Sequence, residues 1–251
     1  MSFAEPRAYD RFMGRYSVLL APQLAELAGV SAGQRVLDVG CGPGALTGEL
    51  VKRLGPDAVK AVDPSQPFVD AVRERYPGVE AQQATAEELP FPDQYFDVTL
   101  AQLVVHFMSD PVAGLGEMRR VTRPGGVVAA CVWDFGGGRG PLGPFWKVAR
   151  QLDPEAAGEA HLPGASQGHL VDLCRRAGIR QIEETTLAVS VKHESFENWW
   201  ELFTLGVGPA GSYLVSLEPD REARMRDAAR ESLPDGPFVI SGVAWAARGI
   251  V

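Results

Sequence analysis

Two kinds of hydrophobic pattern alternate along this chain. Short runs of consecutive apolar, often β-branched residues, stopped by glycine, proline or aspartate, predict buried strands. They cover 35–39, 58–62, 79–84, 98–101, 127–133, 180–192 and 238–247. Between them, apolar residues recur every three or four positions and predict helices. Leu46, Leu50, Val51 and Leu54 share one face of 45–54. Phe68, Val69 and Val72 do so in 66–75, and Leu115, Met118 and Val121 in 111–121. Further helices are expected over 142–152 and 167–177, the latter capped by Ser166 and stopped by Gly178. Ahead of the first strand, residues 8–29 carry apolar side chains from Tyr9 to Leu27, and Gly14 and Pro22 divide them into two helices. The whole reads as one α/β domain over 1–251.

Two stretches leave this rhythm. Residues 134–165 open on a glycine-rich segment and then turn helical, as an excursion from the C-terminal ends of the strands over the crevice there. Residues 195–234 form a second helical insertion, dense in rings at Phe196, Trp199, Trp200 and Phe203, with a helix over 220–233. Ring surfaces in such a cap either wall a pocket or fill the cap's own core. Exposed, the 196–205 surface would serve equally as a homodimer face.

The chemistry concentrates where the first strand meets its helix. Gly40, Gly42 and Gly44 permit positive φ and a close approach of bare backbone to a ligand, at the sheet end where such folds bind one. Asp38, between Leu37 and Val39, is out of place for packing alone. A buried carboxylate needs a partner, which a cationic ligand group above the turn would supply. Asp63 ends the second strand, 19 residues beyond Gly44. That is close to the roughly 20-residue interval at which an acidic residue meets a ribose in dinucleotide folds. Residues 40–45 also satisfy the relaxed dinucleotide fingerprint, so an NAD-dependent dehydrogenase stays open on the glycines alone.

Composition narrows the classes. A formal charge of −8, with Lys and Arg scattered, disfavours nucleic acid as a partner. Neither a signal peptide nor a membrane-length apolar run is evident, which makes the cytoplasm the expected compartment. Cys41, Cys131 and Cys174 follow no metal spacing, no H-E-x-x-H is present, and neither a metal nor a disulfide is expected.

Asp38 followed by G-x-G-x-G resembles the first motif of class I S-adenosylmethionine (SAM)-dependent methyltransferases of the UbiE or type 11 kind. Residues 85–97, with Leu89-Pro90-Phe91, Asp93 and Phe96-Asp97, resemble a later segment of that family. The resemblance spans most of the chain through the fifth strand; beyond residue 134 only the topology carries over. It implies a Rossmann-like sheet of seven strands in the order 3-2-1-4-5-7-6, mostly parallel with an antiparallel last strand, plus a helical cap. It implies SAM as cofactor, converted to S-adenosylhomocysteine. Asp38, Gly40, Cys41, Gly42 and Gly44 would hold it with Asp63 and Pro64. Thr85, Ala86 and Glu87 would lie at the adenine edge, although Thr85 and Ala84 replace the usual Asp and Gly. Gln102 and Leu103 would pack under the methionine part. Tyr9-Asp10-Arg11-Phe12-Met13-Gly14-Arg15-Tyr16 resembles a lid, from which Arg15 or Tyr16 would reach the methionine carboxylate. His106 is the histidine expected near the methyl group and is the candidate base. Methyl transfer requires a base only if the acceptor is still protonated, so the missing base does not name the acceptor atom among O, N and C. The substrate expected is a small, partly apolar molecule; a SAM-binding module without catalysis is the non-enzymatic alternative.

Overall fold

The computed structural model describes residues 5–251. It opens on a helical rod of three segments: α1 (Pro6–Tyr9), a π turn (Asp10–Gly14) and α2 (Arg15–Leu27). The rod is continuous where the sequence predicts two helices. Gly14 is absorbed into the π turn, and Pro22 sits inside α2. A proline strips the donor from the carbonyl four residues earlier. That residue is Val18, on the exposed face of the rod at 54% exposure.

The strand–helix alternation follows. Its first part is β1 (Val36–Val39), α3 (Ala45–Leu54), β2 (Val59–Asp63), α4 (Gln66–Arg75), β3 (Glu80–Gln83) and β4 (Phe96–Gln102). A single 3-10 turn (Val105–Phe107) leads to α5 (Pro111–Val121) and β5 (Thr122–Trp133). Then come α6 (Gly143–Leu152), α7 (His169–Arg176), β6 (Arg180–His193), α8 (Phe196–Trp200), α9 (Gly208–Val215), α10 (Pro219–Glu231) and β7 (Phe238–Ile250). The sheet order is β3-β2-β1-β4-β5-β7-β6, with β7 antiparallel to both neighbours and the first five strands parallel, as expected.

All four residues of β1 are buried, so neither face of the sheet is wet at its centre. Side chains alternate between faces along a strand. Val36 enters a core with Leu20 and Leu24 of α2 and Leu46 and Leu50 of α3. Leu37 and Val39 enter the opposite core, with Leu115 and Met118 of α5 and Leu170 and Leu173 of α7. Asp38 therefore points to the side of α2 and α3.

Local expectations fail where tertiary pairing overrides a local signal. Residues 123–126, ahead of the strand expected over 127–133, lie inside β5 as a bulge between the pairs Phe96–Thr122 and Val98–Val127. Ser166 does not cap α7 with its side chain. Gly168 holds the cap position, and its N–H donates to Glu184 of β6. The rings of 196–203 are core: Phe196, Trp199, Trp200 and Phe203 are each at most 5% exposed. Phe203 stacks on Phe145 of α6 with centroids 4.3 Å apart, locking one excursion to the other. The surface that would have offered a dimer face is thus turned inward. Among the described residues no helix is long and apolar enough to cross a membrane.

Candidate functional site

The turn after β1 wraps the end of β2. Gly40 and Cys41 both donate their backbone N–H to the Val62 carbonyl, at 2.8 and 2.9 Å. The three glycines are required for different reasons. A Cβ on Gly40 would stand 2.4 Å from a methyl of Val104, and one on Gly44 would stand 2.7 Å from the Tyr76 ring. Those two are fixed by the protein's own packing. Gly42, at φ +53°, has nothing within 4 Å of where its Cβ would be, so it alone presents an open face. Cys41 is buried within the turn.

Behind that turn lie two buried acceptors without donors. Asp38 is 1% exposed; its Oδ2 accepts from the Thr47 hydroxyl at 2.6 Å, and its Oδ1 has no partner. Burial pushes its pKa up to about 7. Gln102, the last residue of β4, donates through Nε2 to the Ser17 carbonyl at 3.1 Å, which leaves Oε1 without a partner. Asp38 and Gln102 line one small void with Tyr9, Ser17 and the Gly40–Gly42 turn. Unpaired buried polar atoms are rare, and two acceptors facing one void ask for a group that only donates. The ammonium of an α-amino acid is such a group, so the residues fit the methionine end of SAM.

From this void opens a cleft of about 210 Å³. Asp63 and Pro64 form one wall, Thr85, Ala86 and Glu87 another, and Gln102 and Leu103 the floor. Asp63 is 6% exposed and held on both oxygens: Oδ2 accepts from Gly42 N and Oδ1 from Ser65 N, each at 2.8 Å. Burial pushes its carboxyl up, and the two amide donors oppose the shift. A carboxylate oxygen accepts more than one bond, so the pair remains competent to take two ribose hydroxyls. The Ser65 side chain caps nothing; its N–H orients Asp63 instead. Glu87 faces the cleft but is spent on structure, its Oε1 accepting from Ser109 N and Asp110 N ahead of α5. Leu103 has φ +61°, a conformation costly for a leucine, and is held there by its N–H on the Cys131 carbonyl at 2.9 Å.

The rod reaches the cleft, but not through the residues expected to do so. Arg15 turns away from the cleft, donating to the Lys192 carbonyl at 2.8 Å and lying 3.4 Å from Nδ1 of His193. Tyr16 also goes to that histidine, 3.2 Å from its Nε2, with its ring against Trp133. Neither lines the cleft. The residue of the rod on the cleft side is Tyr9, edge-on to Phe68 of α4 and lining both the cleft and the void. Burial pushes the Tyr9 phenol up to about 12. In the sequence Tyr9 counts as one more apolar position; its polar tip on an apolar face is the signal that sets it apart. Phe68, Val104, Phe107, Met108 and Ser109, which complete the cleft, carry no such signal.

Beyond Leu103 and Phe107 a smaller cavity of about 40 Å³ continues from the cleft. His106 stands on its wall, 6% exposed, tilted against Phe107 at 4.0 Å and with Nδ1 unpartnered. Burial lowers its pKa to about 3. The rest of the wall comes from the rod (Phe12, Met13), from β5 (Trp133) and from both excursions (Phe135, Leu142, Glu159 and Val207–Pro209). The 196–203 rings do not reach it.

Comparison with known proteins agrees with this geometry. A methyltransferase-domain family model matches residues 37–130, the part that carries β1 to β5. The ubiquinone/menaquinone biosynthesis C-methyltransferase UbiE of Cupriavidus metallidurans is 34% identical over 183 residues, covering 65% of this chain and 74% of that protein. The chain belongs to the SAM-dependent methyltransferase family. A malonyl-[acyl-carrier protein] O-methyltransferase of Serratia marcescens is 32% identical over 162 residues, covering 62% of this chain and 61% of that one. The chain spans less than half of some other relatives: 42% of an uncharacterised methyltransferase of Schizosaccharomyces pombe and 49% of one from Mycobacterium tuberculosis. Among solved structures, the YcgJ protein of Bacillus subtilis superposes with a TM-score of 0.60 at 20% identity, covering 94% of this chain and 97% of that one, a likeness of fold. Family membership makes SAM the cofactor and leaves the acceptor open, since relatives of comparable likeness are named for C- and for O-methylation.

Proposed function

We propose that this chain transfers the methyl group of SAM to a small, partly apolar molecule held in the cavity beside His106. The observation that carries the reading is the pair of unpartnered acceptors, Asp38 Oδ1 and Gln102 Oε1, at the head of a cleft floored by Leu103 and walled by Asp63. SAM supplies a methyl group on a positively charged sulfur, activated for displacement by a nucleophile in line with the S–C bond. Asp38 and Gln102 take the ammonium, and Asp63 takes the ribose hydroxyls. Gly42 admits the nucleoside without a side chain in its way, and Thr85, Ala86 and Glu87 border the base.

What the protein adds is mostly alignment and dryness. Positioning of two reactants supplies up to roughly 7–11 kcal/mol of barrier reduction. The cavity is continuous with the cleft through Tyr9, Leu103 and Phe107, and its walls are largely apolar. That composition favours a ring or short hydrocarbon over a charged polymer. Tyr9 and Phe107 touch both compartments and exclude water from the junction.

The test is calorimetric titration of the full chain with SAM, S-adenosylhomocysteine and NAD separately. The expected result is binding of both sulfur nucleosides and none of NAD. Selective binding of NAD would overturn the assignment in favour of a dehydrogenase, the other reading of residues 40–45.

A further inference from the structure

Three ionisable side chains stand on the wall of the inner cavity: Tyr9, His106 and Glu159. Glu159 belongs to the 134–165 excursion and is 3% exposed. Its Oε2 accepts a hydrogen bond from Nε1 of Trp146, on α6, at 2.7 Å. Among the described residues it has no ion pair. Arg150 borders a neighbouring void of about 10 Å³ with it but does not reach it. A carboxyl this deep is costly unless something pairs with it, and one indole N–H satisfies only part of its capacity.

We propose that Glu159 holds the acceptor's hydroxyl group and takes its proton, so that the substrates are small apolar alcohols or phenols. This rests on the methyl-transfer reading of the same site. In the step, the acceptor oxygen forms a bond to the methyl carbon as the S–C bond breaks. The bonding pair returns to sulfur, leaving the neutral thioether, and the hydroxyl proton passes to the Glu159 carboxylate. Charge and atoms balance: sulfonium plus carboxylate become thioether plus carboxylic acid.

The surroundings suit that task. Burial raises the Glu159 pKa to about 7, near the value at which a general base is most effective at neutral pH. His106 on the same wall is a far weaker base, held to about 3 by burial. Tyr9, pushed up to about 12, stays protonated. A hydroxyl suits the cavity better than an ammonium. It enters uncharged, where a buried cation would need an already ionised partner.

The probes are 4-methylphenol and 4-fluorotoluene, which match in size and differ in the hydrogen-bond donor; each is larger than the inner cavity alone, so its ring extends into the junction with the cleft at Tyr9, Leu103 and Phe107. Both are titrated into the full chain loaded with S-adenosylhomocysteine. The expected result is that the phenol binds at least about tenfold more tightly, since bonds to charged acceptors are the strong ones. Glu159→Gln should bring the two within about twofold. Its amide oxygen still serves Trp146 and its NH₂ then faces the cavity as a donor. A Glu159 that merely anchored the excursion would leave the preference intact in that variant. With SAM present, 4-methylanisole formation should fall at least about a hundredfold in Glu159→Gln. Equal affinity for the two probes in the native protein, binding of neither, no 4-methylanisole from the native protein, or an unchanged preference in Glu159→Gln would each overturn the proposal. Failure of S-adenosylhomocysteine to bind would instead refute the methyl-transfer reading, and the comparison of probes without it still reports on Glu159.

Discussion

The outer cleft and the inner cavity meet at Tyr9, Leu103 and Phe107, yet they are built on opposite plans. The cleft is assembled from strand ends. Asp38, Asp63 and Gln102 terminate or nearly terminate β1, β2 and β4, and their positions are set by sheet register. Its polar atoms are either held by backbone donors, as in Asp63, or left open toward the void, as in Asp38 and Gln102. The cavity is assembled from the rod, the sheet and two excursions, and most of its wall is apolar. A cofactor that does not change calls for fixed polar partners on rigid elements. A substrate that differs between relatives is served by variable segments between strands.

The sharpest way to break that contrast is Gly42→Val. Gly42 has open space where a Cβ would go, and that space is the cleft. The variant should lose SAM binding, with affinity down more than about a hundredfold by calorimetry. It should stay folded by circular dichroism, with only the strain of a branched residue at positive φ, roughly 1–3 kcal/mol. A variant that binds normally would show that the turn is not the site.

Stability against pH sets the next test on the cavity side. The Glu159 carboxyl sits at about 7 in the folded chain against an ordinary 4.5. Because the folded pKa is raised, the folded state holds a proton that the unfolded state has released between those values. The contribution to stability is fully present below about pH 4.5 and is lost as pH rises to 7. At about 1.36 kcal/mol per unit the loss is on the order of 3 kcal/mol. Glu159→Gln should remove that slope. The variant should gain on the native protein by about that amount between pH 4.5 and 7 in urea unfolding, with no further gain above. Asp38, shifted the same way, keeps its own slope in both proteins. Parallel stability curves would show that Glu159 is not held protonated.

Asp63→Ala comes next on the cleft side. Bonds to a charged acceptor contribute about 1.5–3 kcal/mol, so SAM affinity should fall roughly ten- to a hundredfold. Binding of 4-methylphenol in the cavity should be untouched. Unchanged SAM affinity in a folded variant would remove the ribose role.

How much of this was legible follows from what each part depends on. Asp38, the glycine turn and Asp63 announce themselves because local rules forbid them in a plain strand or helix: a charge between two core residues, and glycines where packing gains nothing. The sheet order came with the family resemblance, and the strand pairings agree with it. The rings at 196–203 were legible as aromatic but not as core, because their partner Phe145 lies some 50 residues away on α6. Glu159 gave no signal. Nothing in its neighbours tells that Trp146 will meet it, and an acidic residue in a loop usually faces water. That Val104 and Tyr76 also leave no room for a side chain at Gly40 and Gly44 is a packing requirement that the local sequence does not reveal.

The smallest effect expected separates the lid's two faces. Arg15 was the residue that a family lid would aim at the methionine carboxylate, and it is bound instead to Lys192 and His193 at the far end of β6. Tyr9, six positions earlier, looks into the cleft. Arg15→Ala should therefore leave SAM affinity within about twofold while lowering stability by about 1 kcal/mol, the contribution of an ordinary hydrogen bond. Tyr9→Phe in the same assay should weaken SAM binding more than Arg15→Ala does, although it deletes a single oxygen where the other removes a whole charge. The reverse ranking would show that Arg15, and not Tyr9, is the rod's contribution to the cofactor site.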